Sequence, residues 1–226
     1  MNEDLVLVVD DDKNIRELIT IILRNQNINV ICASDGLEAL ELIKNNKIDL
    51  IILDVMMPKM NGIVTCMNIR KELKMPIIIL SAKVDEADQI LGLTIGADDY
   101  IPKPFNKMLF IAKVKSQLRR YKEFNSNSAL NSSLIKVQDM TINLDKHEVQ
   151  VDTSLLNLTP REFEILSLLA QNRNKVLSIK QIYENIWHEP YIETDRTVTV
   201  HIRRLRQKLK KDYIKTVWGV GYTIEN

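Results

Sequence analysis

Wholly apolar runs alternate with helical patterns through the first half of the chain. Leu5–Val9, Val30–Ala33, Leu50–Leu53 and Ile77–Leu80 lack polar alternation and read as strands buried on both faces. A weaker strand is expected at Tyr100–Ile101. Between them apolar residues recur at helical spacing: Ile15, Leu18, Ile19, Ile22 and Leu23; Leu37, Leu40 and Ile43; Ile63, Met67, Ile69 and Leu73; Ile90, Leu91 and Ile95. A last helical pattern runs Met108–Leu118. Strands repeating with helices predict an α/β doubly wound, parallel, five-stranded domain over residues 1–122.

The pattern then breaks. Seven of the nine residues 125–133 are Ser or Asn, and 123–133 is expected to be a flexible linker. Beyond it, Leu134–Leu158 carries short alternating stretches that suit a small antiparallel sheet. Thr159-Pro160-Arg161-Glu162 and Ser178-Ile179-Lys180-Gln181 are capping boxes, so a helix is expected after each. A third helix is expected over Arg196–Lys210, and the glycines of Thr216–Ile224 signal a terminal hairpin. Sheet, three helices and hairpin predict an α+β winged helix-turn-helix over 134–226.

Composition narrows the class. The 226 residues are 45% hydrophobic and 27% charged, ordinary for a globular protein, and too few are Gly or Pro for a low-complexity chain. No stretch is long and apolar enough to span a membrane, and the acidic start Met1-Asn2-Glu3-Asp4 does not suit a secretory signal. A cytoplasmic chain without membrane partners is therefore expected. Cys32 and Cys66 make no metal-ligand spacing and are expected to be free thiols. The net charge of +1 hides a cluster: residues 196–215 hold eight Lys and Arg against one acid, Asp212, or +7. Such a run is a solvated helix face or a nucleic-acid contact.

Candidate chemistry lies at the strand ends of the first domain. Asp10-Asp11-Asp12 follows the first strand, Asp54 the third, Ser81 the fourth and Lys103 the fifth. A single Asp at a strand end is an ordinary helix cap. Three carboxylates in one crevice repel, need a cation, and as hard oxygen donors suit Mg²⁺. No glycine-rich nucleotide cradle is visible, so a phosphoryl group has to come from another protein or a small donor. Asp54 can serve as nucleophile, with Mg²⁺ at Asp10 and Asp11 and Lys103 offsetting charge on the phosphoryl oxygens.

Val8–Asp12, Leu53–Pro58, Ser81-Ala82 and Gly96–Phe105 resemble the receiver domain of two-component response regulators, a flavodoxin-like fold. The second half resembles the winged-helix effector of the OmpR/PhoB subfamily. The resemblance implies that Asp54 accepts the phosphoryl group. It implies a metal site of Asp10, Asp11, Asp54 and the Met56 backbone carbonyl, with Ser81 and Tyr100 as switch residues. It places Lys103 on the phosphoryl group, beside a cis Lys103-Pro104 peptide. It implies a sensor histidine kinase, promoter DNA in direct repeats, RNA polymerase and a homodimer formed on phosphorylation as partners. Turnover would be confined to slow self-dephosphorylation, so the chain is not expected to be an enzyme.

The likeness has gaps. The family's interfacial Arg and Glu are replaced by Gln89 and Leu109, and a further acid by Thr94, while Asp98, Asp99, Lys113 and Lys115 remain at interface positions. In the hairpin Trp218 stands where an Arg is common; it is kept among the candidate DNA-binding residues, where the indole would pack on sugar or backbone, though packing on its own domain is the favoured expectation. Along the third helix Val198, Ile202, Leu205 and Leu209 form the expected buried stripe. Arg196, Val200, Arg203, Arg204, Gln207 and Lys211 are expected on the opposite side, an outward Val suiting a thymine methyl. The resemblance assigns Thr199, Val200, Arg203 and Arg204 to base edges and Thr197, Arg206 and Trp187 to phosphates, with His201 in support. Two rivals remain: a metal-dependent phosphotransferase or phosphatase with an appended domain, and a regulator of the same fold governed by abundance alone.

Overall fold

The structure, a computed structural model, describes residues 4–81, 92, 94–126, 134–191 and 196–225, the side chains of 123–126 aside. The chain divides into two compact units, residues 1–121 and 122–226.

In the first unit β1 (Leu5–Val9), β2 (Asn29–Ala33), β3 (Leu50–Asp54), β4 (Ile77–Ser81) and β5 (Asp99–Pro102) form one parallel sheet in the order β2-β1-β3-β4-β5. Because side chains alternate along a strand, an all-apolar strand feeds both faces. Val6, Val8, Ile52 and Ile78 face Ile19 and Leu23 of α1 (Lys13–Arg24) and Phe110 and Val114 of α4 (Lys107–Ser126). Leu7, Val9, Ile51 and Ile77 face Ala39 of α2 (Gly36–Asn45) and Cys66 and Ile69 of α3 (Gly62–Arg70). Thr94 and Ile95 are helical, the described end of the helix expected near Ile90. Strand order reverses between β1 and β3, and at such a point the strand ends open a crevice.

One boundary differs from expectation. The α4 helix continues to Ser126, so residues 123–126 of the expected 123–133 linker are helical. Glu123 is a good helix former, and the Ser and Asn run begins only at Asn125, within the last turn. Residues 127–133 lie outside the described residues.

The second unit opens with an antiparallel sheet of β6 (Leu134–Val137), β7 (Met140–Asn143), β8 (Glu148–Val151) and β9 (Ser154–Leu155). Then come α5 (Pro160–Gln171), β10 (Leu177–Ser178), α6 (Ile179–Trp187), α7 (Thr197–Leu209), β11 (Ile214–Val217) and β12 (Gly221–Ile224). Both expected capping boxes are present, at Thr159/Glu162 and Ser178/Gln181. The second sheet has the order β10-β12-β11, so the terminal hairpin closes against the strand that precedes α6. Phe163, Leu166, Ile182, Trp187, Val198, Ile202 and Leu205 share one core.

Candidate functional site

The crevice at the ends of β1, β3 and β5 gathers the expected carboxylates. Asp10, Asp11 and Asp54 each place a carboxylate oxygen within 4.8 Å of the other two. Asp10 and Asp54 are buried and Asp11 is exposed, so the cluster opens to solvent on one side. Lys103 Nζ donates to Asp10 Oδ2 at 2.6 Å and to Asp54 Oδ2 at 3.0 Å. One ammonium thus bridges two carboxylates that would otherwise repel.

Local chain chemistry fixes Asp10 and Lys103. The Asp12 amide donates to Asp10 Oδ1 at 3.0 Å, while the Asp12 carboxylate caps α1 by accepting from the Asn14 amide at 2.8 Å. Arg16, one turn into α1, donates to the Asp10 carbonyl at 2.5 Å. The Lys103 amide donates to the Ser81 carbonyl at 2.8 Å, beside a cis Lys103-Pro104 peptide. Burial pushes the Asp10 carboxyl above its ordinary value, against the opposing pull of Lys103. Burial also draws the Lys103 ammonium down, but its bonds to Asp10 and Asp54 outweigh that and leave it raised.

Sequence reading missed two supports. Gly62 opens α3 directly against the end of β3: a Cβ there would lie 1.9 Å from the Asp54 carbonyl oxygen. Its amide donates to the Val55 carbonyl at 3.0 Å. Only its place just after Asn61, the α3 cap, hinted at this. Arg16 lies between apolar positions of the helical pattern, and nothing local signals its bond to the Asp10 carbonyl. Ser81, at the end of β4, and Tyr100, in β5, are both buried.

The residues expected at a dimer interface fare differently. Asp98 is buried and accepts from Arg70 Nη2 at 2.6 Å and from the Ile77 amide at 2.9 Å. Asp99 and Lys113 pair within the chain at 3.0 Å, both buried. Within the chain these three charges tie the start of β5 to Arg70 of α3 and to α4. Lys115 is exposed and donates to Gln26 at 2.6 Å. Thr94 is half-buried, Leu109 is exposed beside exposed Met108, and Gln89 lies outside the described residues.

The α7 helix also departs from the expected wheel. Its apolar stripe is buried as expected, but Val200 is only 5% and Arg204 only 7% exposed. The expectation that both face outward is corrected: α7 packs on α5 and α6 together, so its buried arc is wider than one stripe. Thr197 and Trp187 are buried too. Trp187 stacks on Tyr183 at 5.0 Å and lies under the Arg161 guanidinium, which places its ring in the core. His201 is buried against the Trp187 ring. Arg206 donates to the Ile214 carbonyl at 2.6 Å and to Thr216 Oγ1 at 2.8 Å, tying α7 to the hairpin.

What remains outward is a single stripe of Arg196, Thr199, Arg203 and Gln207. Beside it a cleft of about 540 Å³ is lined by Thr199, Ile202, Arg203, Arg206, Gln207 and Tyr222. At the hairpin tip Trp218 is 89% exposed, so the packing expected of it does not occur. Gly219 beside it holds φ +73° and gives the turn its left-handed residue.

Known proteins share both halves of this design. The receiver domain of response regulators matches residues 6–115, and the C-terminal domain of transcriptional regulatory proteins matches 152–224. The regulatory protein VanR of Enterococcus faecium is 45% identical, across 98% of this chain and 99% of its own. The chain belongs to the response regulator family. The uncharacterized transcriptional regulatory protein YcbL of Bacillus subtilis is 36% identical across 96% of this chain and 99% of its own. The solved structure of DrrB, an OmpR/PhoB homolog from Thermotoga maritima, covers 100% of both chains at 31% identity and a TM-score of 0.52. The regulator is therefore of the OmpR/PhoB type: a receiver followed by a DNA-binding effector, in a family that controls transcription rather than turning over a substrate. No helix among the described residues is long and apolar enough to cross a membrane.

Proposed function

We propose that Asp54 accepts a phosphoryl group from a sensor histidine kinase or a small phosphodonor, and that this state controls promoter binding through α7. One observation carries the reading: Asp54 ends β3 with Lys103 Nζ 3.0 Å away and two more carboxylates within 4.8 Å. An ionised Asp54 needs no general base. Its oxygen bonds phosphorus as the donor's own bond to phosphorus breaks. Lys103 then exchanges a carboxylate for a phosphoryl oxygen, and the buried Ser81 hydroxyl stands at the next strand end to donate to another. The hard oxygen donors of Asp10, Asp11 and Asp54, with the Met56 carbonyl, fit Mg²⁺. When bound, Mg²⁺ would neutralise charge on the transferred group.

Aspartyl phosphate adds about −1.5 to −2 charge units and three acceptor oxygens. The buried Ser81 and Tyr100 are the groups through which that change reaches β5 and the surface. Exposed Met108 and Leu109 would supply apolar contact in a phosphorylated homodimer, at the place where the family resemblance implies an ion pair. Arg203, Thr199 and Gln207 would read DNA, and Trp218 would approach it from the hairpin. RNA polymerase is a further partner, and a cytoplasmic location follows from these roles.

Incubation with acetyl phosphate and Mg²⁺ is expected to add one phosphoryl mass to the intact chain. EDTA or Asp54→Asn, which keeps the volume but removes the ionised nucleophile, is expected to abolish it. Mg²⁺-dependent phosphorylation of the Asn variant would sink the assignment.

A further inference from the structure

We infer that Glu162, a buried carboxylate on α5, is a positioning residue for DNA discrimination: it sets the rotation of α7 and so decides which of its cations face DNA. The inference rests on α7 being the reading helix. Glu162 is 0% exposed. Its Oε2 accepts from the Thr159 amide at 2.8 Å, which completes the cap of α5, and from Lys208 Nζ at 2.6 Å. Arg204 Nη2 lies 3.0 Å from Oε1 as an ion pair, outside hydrogen-bond angles. Lys208 also donates to the Asn157 carbonyl at 2.8 Å. One carboxylate therefore grips two cations, four residues apart, on the inner side of α7.

One residue back along the helix the corresponding pair is Arg203 and Gln207. Arg204 and Lys208 are both cationic; Arg203 and Gln207 are not, because Gln207 carries no charge. A one-residue turn of α7 is about 100°. It would set the neutral Gln207 against Oε2 and leave a buried charge half-compensated. Uncompensated buried charge is costly, so the ion pairs reinforce the rotation that the buried Val198, Ile202, Leu205 and Leu209 also favour. That rotation puts Arg203, Gln207 and Thr199 outward together. Fixing a register is the best-attested use of a buried ion pair. The cap of α5 and the presentation of α7 thus depend on the same side chain.

The test uses the full chain and two duplexes: one enriched by the wild-type chain from a random-sequence pool, and its shuffled counterpart of equal length. Glu162→Gln keeps the cap, since Gln serves at that position, but removes the charge. The enriched-over-shuffled preference is expected to fall about tenfold, within the usual range of coupling between contacting residues. Shuffled-duplex affinity should hold or rise, with a steeper salt slope, because two cations are released. A merely structural role would lower both affinities by one common factor. Should Glu162→Gln fold poorly, Lys208→Gln is the milder arm, and its preference should fall in the same direction. Equal loss on both duplexes, or no change in preference, in the folded variant overturns the inference. Arg203→Ala separates the two levels of the argument. If it leaves the preference intact, α7 is not the reader; if it lowers the preference while Glu162→Gln does not, only the positioning role fails.

Discussion

Two arginines adjacent in sequence do unlike work. Arg203 is exposed on the outer stripe of α7, whereas Arg204 is buried against Glu162. Arg203→Ala should leave folding stability within about 0.5 kcal/mol, as for most surface changes. It should cost about 1–3 kcal/mol on the enriched duplex and relax preference at one base pair. Arg204→Ala should instead destabilise by about 3 kcal/mol, the low end for breaking a buried pair, because Lys208 still faces the carboxylate. Urea unfolding and fluorescence anisotropy on both duplexes distinguish them; the reverse pattern would contradict the burial. A second cluster sets a pH dependence. Hydrogen bonds from Lys211 and Tyr213 hold the Asp139 carboxyl below its ordinary 3.8. Its contribution is therefore full above that value and lost as pH falls through the folded value. The stability gap between the wild-type chain and Asp139→Asn should stay constant above about pH 5 and close in acid. A gap that widens in acid would reverse the sign.

At α3 the deciding feature is a hydrogen atom. Gly62 leaves no room for a Cβ beside the Asp54 carbonyl, so Gly62→Ala has to push the acceptor strand or α3 aside. Overpacking of this kind costs about 1–3 kcal/mol. The variant should lose that much in urea unfolding and take up phosphoryl groups from acetyl phosphate more slowly, without a change in net charge. Unaltered uptake would show that the strand end tolerates the shift. This contact also marks what was legible in the sequence. The strands were readable because a parallel sheet covered on both faces demands unbroken apolar runs such as Leu50–Leu53. The capping boxes were readable because they are local, and the crevice residues because they follow strands. The closeness of Gly62 to Asp54 was not, since nothing in the chain between them shows how near α3 returns. Val200 and Arg204 were misjudged for a related reason. A helical wheel assumes one buried face, and α7 has neighbours on two. The charges of Asp98, Asp99 and Lys113 likewise say nothing of partners until Arg70 and α4 are in place.

Across the whole molecule, the proposed function requires a charge acquired at Asp54 to alter the DNA affinity of a separate compact unit. On the proposed reading, buried Ser81 and Tyr100 would sense it, and exposed Met108 and Leu109 would join two copies. With Asp98, Asp99 and Lys113 engaged inside their own chain, such a dimer would be held mainly by apolar contact and be only mildly salt-sensitive. Dimerisation would in turn bring two α7 stripes to adjacent half-sites, and two weak contacts joined in one particle bind far more tightly than either alone. The most direct measurement is the affinity of the full chain for the enriched duplex, with Mg²⁺, before and after treatment with acetyl phosphate. Treatment should tighten binding at least tenfold, within the range that such linkage commonly gives, and do nothing to Asp54→Asn. Equal tightening of the Asn variant, or an unchanged affinity in a wild-type chain shown by mass to be phosphorylated, would contradict the account.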